Sequence, residues 1–246
     1  ASPLACPQCL RNMSWDKAGD WMGGSFGVLG CASHRFPAVW EIPIFLSRPP
    51  VGFSLALIEQ GRFRESLELA LATSVPKTRG SFTQRRSWAR QILPDRSSSF
   101  KQALSILPKS WREFFGGRLS DPDFHRIVAS ARGVPHSRGT ARRAPASILD
   151  LGCGTAPLAY RLSRLREHMR VISLDINFYL LYFGRRFFTT DSLYVFSDAH
   201  ERFPFRSRSF GTIVCSGVSE AIRNLKPLVS ECERVLNPKG FLLFKS

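Results

Sequence analysis

The sequence predicts an α/β fold, in which a parallel sheet with crossover helices follows a small metal-binding ribbon and a basic helical segment. Three observations predict it. Strand-like and helix-like stretches alternate from Ile148 onward. A Gly-rich turn containing Gly152 and Gly154 follows the first of those strands. Two short Cys/His pairs lie near the start of the chain.

Composition shifts divide the 246 residues into three units. We expect an N-terminal ribbon over residues 1–47, a basic segment over residues 48–146 and a parallel sheet over residues 147–246. Pro49 and Pro50 close the ribbon, because Pro can neither donate to a ladder nor continue a helix. The ribbon contains short strand-like pieces at Phe26–Leu29, Ala38–Trp40 and Ile42–Leu46. The basic segment has apolar residues near helical spacing. Two further short helices are expected over Phe100–Leu107 and Trp111–Phe115. A Gly-, Pro- and Arg-rich linker is expected over residues 131–146.

Positive charge is concentrated in the middle of the chain. The sequence holds 35 Lys and Arg against 19 Asp and Glu, a net charge of +16. Residues 48–147 alone carry 18 basic and 7 acidic side chains, a net charge of +11. Such a concentration indicates a polyanionic partner, with RNA as the leading interpretation and a solvated basic surface as the alternative. Arg85, Arg86 and Arg90 fall in an expected helix.

The N-terminal Cys/His pairs have the spacing of a metal site. Cys6 and Cys9 are separated by two residues, as are Cys31 and His34. Two tight turns that face each other supply four soft ligands in a tetrahedron, which suits zinc in a closed structural site. The stretch resembles the zinc ribbon of the methyltransferase activator subunit and of bacterial large-subunit rRNA guanine methyltransferases. That resemblance implies a ribbon that docks rRNA or stabilises a catalytic domain.

The Gly-rich turn and two later acids indicate a nucleotide-type cofactor site. Small residues at Gly152 and Gly154 let the backbone approach a ligand closely. Asp175 ends the second predicted strand, about 20 residues after the turn, where a carboxylate accepts ribose hydroxyls. Asp198 ends the third predicted strand, which we place over Tyr194–Ala199, and is positioned for an adenine amino group. The fourth and fifth strands are expected over Ser209–Ser216 and Gly240–Lys245.

The order of these motifs resembles the type 11 group of class I methyltransferases that use S-adenosylmethionine (SAM). The resemblance covers about 100 residues, through DLGCGT, SLDIN, SDAHERFPF and LNPKGFLLF. It implies a Rossmann-like sheet and contacts to SAM from six residues: Asp150, Gly152, Gly154, Asp175, Asp198 and Ala199. The group's motifs specify the superfamily and leave the acceptor open.

The sequence departs from the group's pattern at several points. Ala156 replaces the third Gly of the turn, which we treat as a minor change. Gly211 replaces an acid before the fourth strand, which we expect to remove a carboxylate near the cofactor. Glu220 lies where the group has a His. The chain ends in the fifth strand, so we expect either that the protein continues or that a partner covers an open sheet edge.

Catalytic groups are not identified by the sequence. Cys215 precedes Ser216 and Gly217, as the nucleophile does in RNA cytosine-5 methyltransferases, but it lacks the preceding Pro, so we expect a buried strand cysteine. His200 and the other histidines are dispersed. We therefore name no general base.

The leading hypothesis is a SAM-dependent methyltransferase-like protein with structural zinc that acts on or binds RNA, most of all ribosomal RNA or a ribosome-assembly particle. The alternatives are an inactive assembly scaffold that keeps the fold, and a small-molecule methyltransferase. No run of about 18 uncharged apolar residues occurs, so we expect no membrane span. High Arg content favours the mitochondrial matrix, with the cytoplasm as the alternative.

Overall fold

The fold was examined in a computed structural model of the chain. The model describes residues 2–46, 51–74, 81–92, 126, 128–129, 146–164, 169–188, 192–216 and 224–245. The expected helices at Phe100–Leu107 and Trp111–Phe115 lie outside the described residues, as does the linker up to residue 145. In the described part of the chain, no helix is long and apolar enough to span a membrane.

The N-terminal ribbon is an antiparallel sheet in which each strand pairs with the next along the chain. Its strands are β1 (Ser14–Trp21), β2 (Gly24–Gly30), β3 (Arg35–Val39) and β4 (Ile42–Pro43). The apolar pieces of the sequence correspond to β2, β3 and β4. The sequence pattern does not predict β1, because most of its side chains are polar and exposed and show no apolar alternation.

The described part of the basic segment is helical. It contains α1 (Val51–Glu59), α2 (Phe63–Ser74) and α3 (Phe82–Ile92). The buried face of α2 includes Leu67, Ala70 and Leu71, which join a core that also contains residues of the ribbon and of the parallel sheet. Burial of this apolar face stabilises the helix more than its intrinsic propensity does.

Residues 146–245 form a parallel sheet with the strand order β7-β6-β5-β8-β9, so the predicted α/β fold is confirmed. Its strands are β5 (Ala146–Leu151), β6 (Met169–Asp175), β7 (Leu193–Phe196), β8 (Phe210–Ser216) and β9 (Leu236–Lys245). Its helices are α4 (Pro157–Arg164), α5 (Phe178–Phe187) and α6 (Leu225–Val235). Two strand boundaries differ from the prediction by more than two residues. The third strand ends at Phe196 because the chain turns at Asp198, and the fifth begins at Leu236.

The ribbon continues the parallel sheet beyond β7. Ile44 forms a parallel bridge with Phe196, and the Phe45 N–H donates to the Phe196 carbonyl at 2.9 Å. The ring of Trp40 meets the ring of Tyr182 on α5 edge-on, with centroids 5.3 Å apart. The three units expected from composition therefore share a core, and their division into domains stays a prediction.

A buried carboxylate connects α2 to α3. Glu68 is almost completely buried, and its side chain contacts three guanidinium groups. Arg64 Nε lies 3.2 Å from its Oε1, and Arg86 Nη2 and Arg90 Nε lie 3.5 and 3.0 Å from its Oε2. Two of the three α3 arginines that indicated an RNA partner are thus engaged with a carboxylate of their own chain.

Replacing Glu68 with Gln should lower the free energy of unfolding by about 1.5–3 kcal/mol, because the buried carboxylate loses its charged contacts with three partly exposed guanidinium groups. Urea denaturation followed by circular dichroism measures this loss. Glu65→Gln on the same helix is the matched control, since its ion pair with Arg62 is exposed and should contribute much less. Equal effects of the two substitutions would contradict the role assigned to Glu68.

Candidate functional site

The Gly-rich turn lies at the carboxyl end of β5, the middle strand of the parallel sheet. Gly152 and Gly154 have φ angles of 66° and 59°, in the left-handed region that favours glycine. The N–H groups of Gly152 and Cys153 both donate to the Leu174 carbonyl, at 2.9 and 3.2 Å. The turn is therefore held against β6 by backbone hydrogen bonds. Open clefts at the carboxyl ends of parallel strands are the usual ligand sites of such sheets.

Asp175, at the end of β6, joins the second strand to this turn. Its Oδ2 accepts a hydrogen bond from the Gly154 N–H at 2.8 Å, and its Oδ1 accepts one from the Asn177 N–H at 2.7 Å. The carboxylate is buried. A carboxylate oxygen has more than one acceptor position, so each oxygen can also take a ribose hydroxyl. This geometry fits the role that the sequence predicts for Asp175.

The turn after β7 holds the second predicted acid. Asp198 is buried, and its Oδ1 accepts the His200 N–H at 2.9 Å and lies 2.9 Å from His200 Nδ1. The Ser197 N–H donates to the Asp175 carbonyl at 3.1 Å, so the two acid-bearing turns are adjacent. Asp150 is buried in β5, and Ala199 is partly buried beside Asp198. The pairing of Asp198 with His200 is not visible in the sequence pattern.

Comparison with known proteins agrees with this geometry. Residues 149–244 match the family model described as a methyltransferase domain. We call this matched segment the methyltransferase domain. Sequence comparison finds 31% identity over 99 residues with demethylmenaquinone methyltransferase of Thermotoga maritima, covering 40% of this chain and 42% of that protein. It also finds 30% identity over 110 residues with malonyl-[acyl-carrier protein] O-methyltransferase of a Methylovorus species, covering 42% of this chain and 37% of that protein.

Among solved structures, the chain is similar to a TehB-like SAM-dependent methyltransferase of Corynebacterium glutamicum, with a TM-score of 0.42 and 19% identity. That match covers 53% of this chain and 67% of the other. The chain spans about two fifths of the length of the two curated relatives.

Two expectations about departures from the family pattern are wrong. Ala156 is not a minor change, because its φ of 59° lies in the left-handed region, which costs a non-glycine residue roughly 1–2 kcal/mol. Gly211 does not remove a carboxylate near the cofactor. It precedes Thr212, which pairs with Ile148 near the start of β5, so Gly211 lies towards the amino ends of the strands. The Gly-rich turn lies at their carboxyl ends.

The cysteines of the methyltransferase domain are buried thiols. Burial raises the pKa of Cys215 to about 11 and that of Cys232 to about 12. A thiol with so high a pKa is a poor nucleophile near neutral pH, because the thiolate is the reactive form. The prediction that Cys215 is a buried strand cysteine is confirmed, and it offers no covalent mechanism.

A cavity of about 870 Å³ lies beside Asp198, between the parallel sheet and α1, α2 and α3. The methyltransferase domain contributes Ile176, Phe196 and Asp198 to its wall. The other lining residues of the described chain come from the end of the ribbon, from the three helices and from the turn between α1 and α2. They include Leu46, Phe53, Gln60, Arg62, Phe82, Arg85 and Arg86. The sequence pattern does not reveal this cavity, because its walls are far apart along the chain.

The four predicted metal ligands converge in the ribbon. Cys6 Sγ and Cys31 Sγ lie 3.4 and 3.5 Å from His34 Nδ1, and Cys9 Sγ lies 3.7 Å from Cys31 Sγ. All four ligand atoms lie within 4.8 Å of one another. A tetrahedral zinc site with Zn–S distances of about 2.3 Å places its ligand atoms about 3.5–3.8 Å apart. The arrangement therefore fits a tetrahedral metal ion.

The thiols of this cluster differ in their surroundings. A hydrogen bond from the Ser33 backbone N–H, together with contacts to His34 and Cys9, lowers the pKa of Cys31 to about 6. Burial raises the pKa of Cys6. Cys31 therefore favours the thiolate form that binds metal.

Gly184 on α5 packs closely against the Gly-rich turn, at Thr155. The sequence motifs do not predict this contact. A Cβ at this position would lie 2.4 Å from the Thr155 carbonyl oxygen. Since a backbone atom blocks the methyl group, α5 or the turn must move. Only glycine allows this approach.

Gly184→Ala should therefore lower the free energy of unfolding by about 2 kcal/mol, in spite of the better helix propensity of Ala. It should also weaken SAM binding, since the turn shifts. Urea denaturation and calorimetry with SAM measure the two effects. Gly211→Ala is the control, because a Cβ there would lie 3.9 Å from the Ser147 carbonyl oxygen, an ordinary van der Waals distance. Identical stability of the two variants would refute the steric argument.

Proposed function

We propose that this protein binds SAM across the carboxyl ends of β5, β6 and β7 and methylates a small-molecule acceptor. The observation that carries the proposal is the double hydrogen bond of Asp175, which fixes a buried carboxylate between the Gly-rich turn and the start of α5. SAM supplies a methyl group carried on a sulfonium. The protein's own contribution is to hold cofactor and acceptor in line, since proximity and orientation supply much of the rate enhancement in such transfers.

The predicted contact residues receive separate roles in this proposal. Gly152 and Gly154 pass close to the methionine part of SAM, and Asp175 accepts the ribose hydroxyls. Asp198 accepts the adenine amino group, and Ile176 packs on the adenine ring. Asp150 and Ala199 complete the proposed contact set beneath and beside the turn.

Two observations support a small-molecule acceptor. The cavity beside Asp198 has the size of pockets that enclose small organic ligands. The two curated relatives are named for demethylmenaquinone and for malonyl-[acyl-carrier protein], and neither name specifies a nucleic acid.

RNA is the second candidate acceptor, favoured by the net charge of +11 over residues 48–147. Against it, Arg64, Arg86 and Arg90 share the carboxylate of Glu68, so one of these three positive charges is neutralised within the protein. Arg142 and Arg143 of the linker lie outside the described residues. Ribosomal RNA, an assembly particle and the mitochondrial matrix stay predictions of the sequence. So does a partner on the outer strand β9, where Phe241 and Phe244 are exposed.

Asp175→Ala should weaken SAM binding by roughly 1.5–3 kcal/mol, the contribution of hydrogen bonds to a charged group. Isothermal titration calorimetry measures the change. Asp20→Ala is the control, because Asp20 is an exposed carboxylate on the ribbon hairpin that contacts Lys17 and Ser25.

Equal affinity of wild type and Asp175→Ala would overturn the assignment of the ribose site. Absence of SAM binding by a folded wild-type protein would instead favour the inactive scaffold.

We further propose that Cys6, Cys9, Cys31 and His34 bind one structural zinc ion. Four protein ligands close the coordination sphere and leave no position for a substrate. Cys6 is buried and belongs to the core that also contains Phe203 and Phe205 of the methyltransferase domain. A metal here would therefore stabilise the packing of the ribbon on that domain.

The purified protein should contain about one zinc ion per chain. Cys31→Ser should lose the metal and lower the thermal unfolding midpoint, because metal binding contributes directly to folding. Elemental analysis and thermal denaturation provide the two readouts. Cys232→Ser, a buried cysteine outside the cluster, should keep its zinc. A folded ribbon without metal in the wild type would exclude the proposal.

A further inference from the structure

The cavity beside Asp198 is lined by large apolar side chains that are unusually exposed. Phe53 on α1 is 67% exposed, Phe82 on α3 is 39% exposed and Ile176 is 54% exposed. All three line this one cavity, together with Leu46 and Leu57. Grouped exposed apolar residues around a concave surface indicate a binding site for an apolar molecule.

The proposed adenine site lies on one side of the cavity. The proposed adenine contacts are Ile176 and Asp198, on the side of the methyltransferase domain. Phe53, Phe82 and Leu46 line the wall formed by the helices and the end of the ribbon. A second molecule can therefore pack on this apolar wall while the cofactor is bound.

Two guanidinium groups lie next to the apolar wall. Arg85 and Arg86 on α3 both line the cavity. The Arg85 guanidinium lies over the Phe82 ring, 5.4 Å from its centroid, and donates to the Ala72 carbonyl at 3.5 Å. Arg86 is held by Glu68, which lies behind it on α2. These contacts fix the two cationic groups in position beside an aromatic ring.

The charges around the cavity are unequally distributed. Arg62 forms two hydrogen bonds with Glu65, so this pair adds little net charge. Asp198 lies at the adenine side. The α3 wall therefore presents positive charge with an apolar surface beside it, and arginine suits the planar geometry of carboxylate, sulfonate and phosphate groups.

We propose that this cavity binds an apolar, ring-bearing small molecule with an anionic group. The anionic group pairs with Arg85 and Arg86, and the apolar body packs against Phe53, Phe82 and Leu46. This inference goes beyond the proposed function, because it assigns the cavity a ligand of its own beside the proposed adenine site. The charge of the basic segment then serves partly to select an anionic ligand.

Anilinonaphthalene sulfonate and phenylnaphthylamine make a matched pair of probes. Both carry the same fluorescent ring system, and only the first carries an anionic group. Fluorescence titration of the full-length protein should show one saturable site for the sulfonate. Arg85→Gln and Arg86→Gln should each weaken sulfonate binding about tenfold, because each removes a charged hydrogen bond, and should change phenylnaphthylamine binding less than about twofold. Phe53→Ala should weaken both probes.

Arg64→Gln is the matched control for Arg86→Gln. Both variants remove one ion pair of Glu68, but among the arginines that contact Glu68, Arg86 lines the cavity and Arg64 does not appear in its wall. Arg64→Gln should bind both probes as the wild type does. Arg85→Gln leaves the Glu68 pairs intact, so it tests the charge without that structural effect.

The outcomes separate this inference from the proposed function. Equal sulfonate affinity in wild type, Arg85→Gln and Arg86→Gln would overturn the anionic ligand, even if SAM binds normally. The expected probe pattern in a protein that fails to bind SAM would keep the site and reject the methyltransferase activity. If single-stranded RNA displaces the sulfonate probe and both Arg variants weaken RNA binding equally, the cavity face is an RNA surface and the small-molecule inference is wrong.

Discussion

Asp175 joins three parts of the parallel sheet at one point. Its carboxylate accepts the Gly154 N–H of the turn after β5 and the Asn177 N–H at the start of α5, and its backbone carbonyl accepts the Ser197 N–H after β7. Each bond satisfies a donor at a place where regular secondary structure ends and a buried donor would otherwise be unpaired. The geometry of the proposed cofactor site depends on this residue, because the other proposed contacts, except Asp150 in β5, lie on the turns that these bonds join.

The contact between α2 and α5 extends this constraint into the basic segment. The Phe178 N–H, in the first turn of α5, donates to the Ser74 hydroxyl at the end of α2 at 2.7 Å. The helices before the sheet are thus attached to α5, the helix that follows Asp175. Together with the bridge from Ile44 to Phe196, this contact places the ribbon and the basic segment beside the carboxyl ends of β6 and β7. The wall of the cavity is a product of that attachment.

Charge in the basic segment has an effect that depends on where each arginine lies. Arg90 and Arg86 neutralise a carboxylate that α2 buries, while Arg85 and Arg86 also line the cavity. A positive total charge of a segment raises its affinity for polyanions in general. Burial of Glu68 converts part of that charge into a contact between helices, and the cavity directs another part towards a bound ligand. The same arginines therefore support a different interpretation once their neighbours are known.

The sequence by itself determined the parallel sheet, its Gly-rich turn, the two acids at strand ends and the Cys/His cluster of the ribbon. These features are local. A strand followed by Gly152 and Gly154 is visible in a short stretch of sequence, and so are Cys6 and Cys9, which are separated by two residues. Backbone conformation and the spacing of such pairs depend on near neighbours in the chain. The strained Ala156, the remote position of Gly211 and the close approach of Gly184 to Thr155 could not be predicted, since each depends on strand register or helix packing. The cavity likewise exists only in the tertiary structure, because Phe53, Arg85 and Asp198 meet across more than a hundred residues of chain, and burial and charge pairing are set by contacts between distant segments.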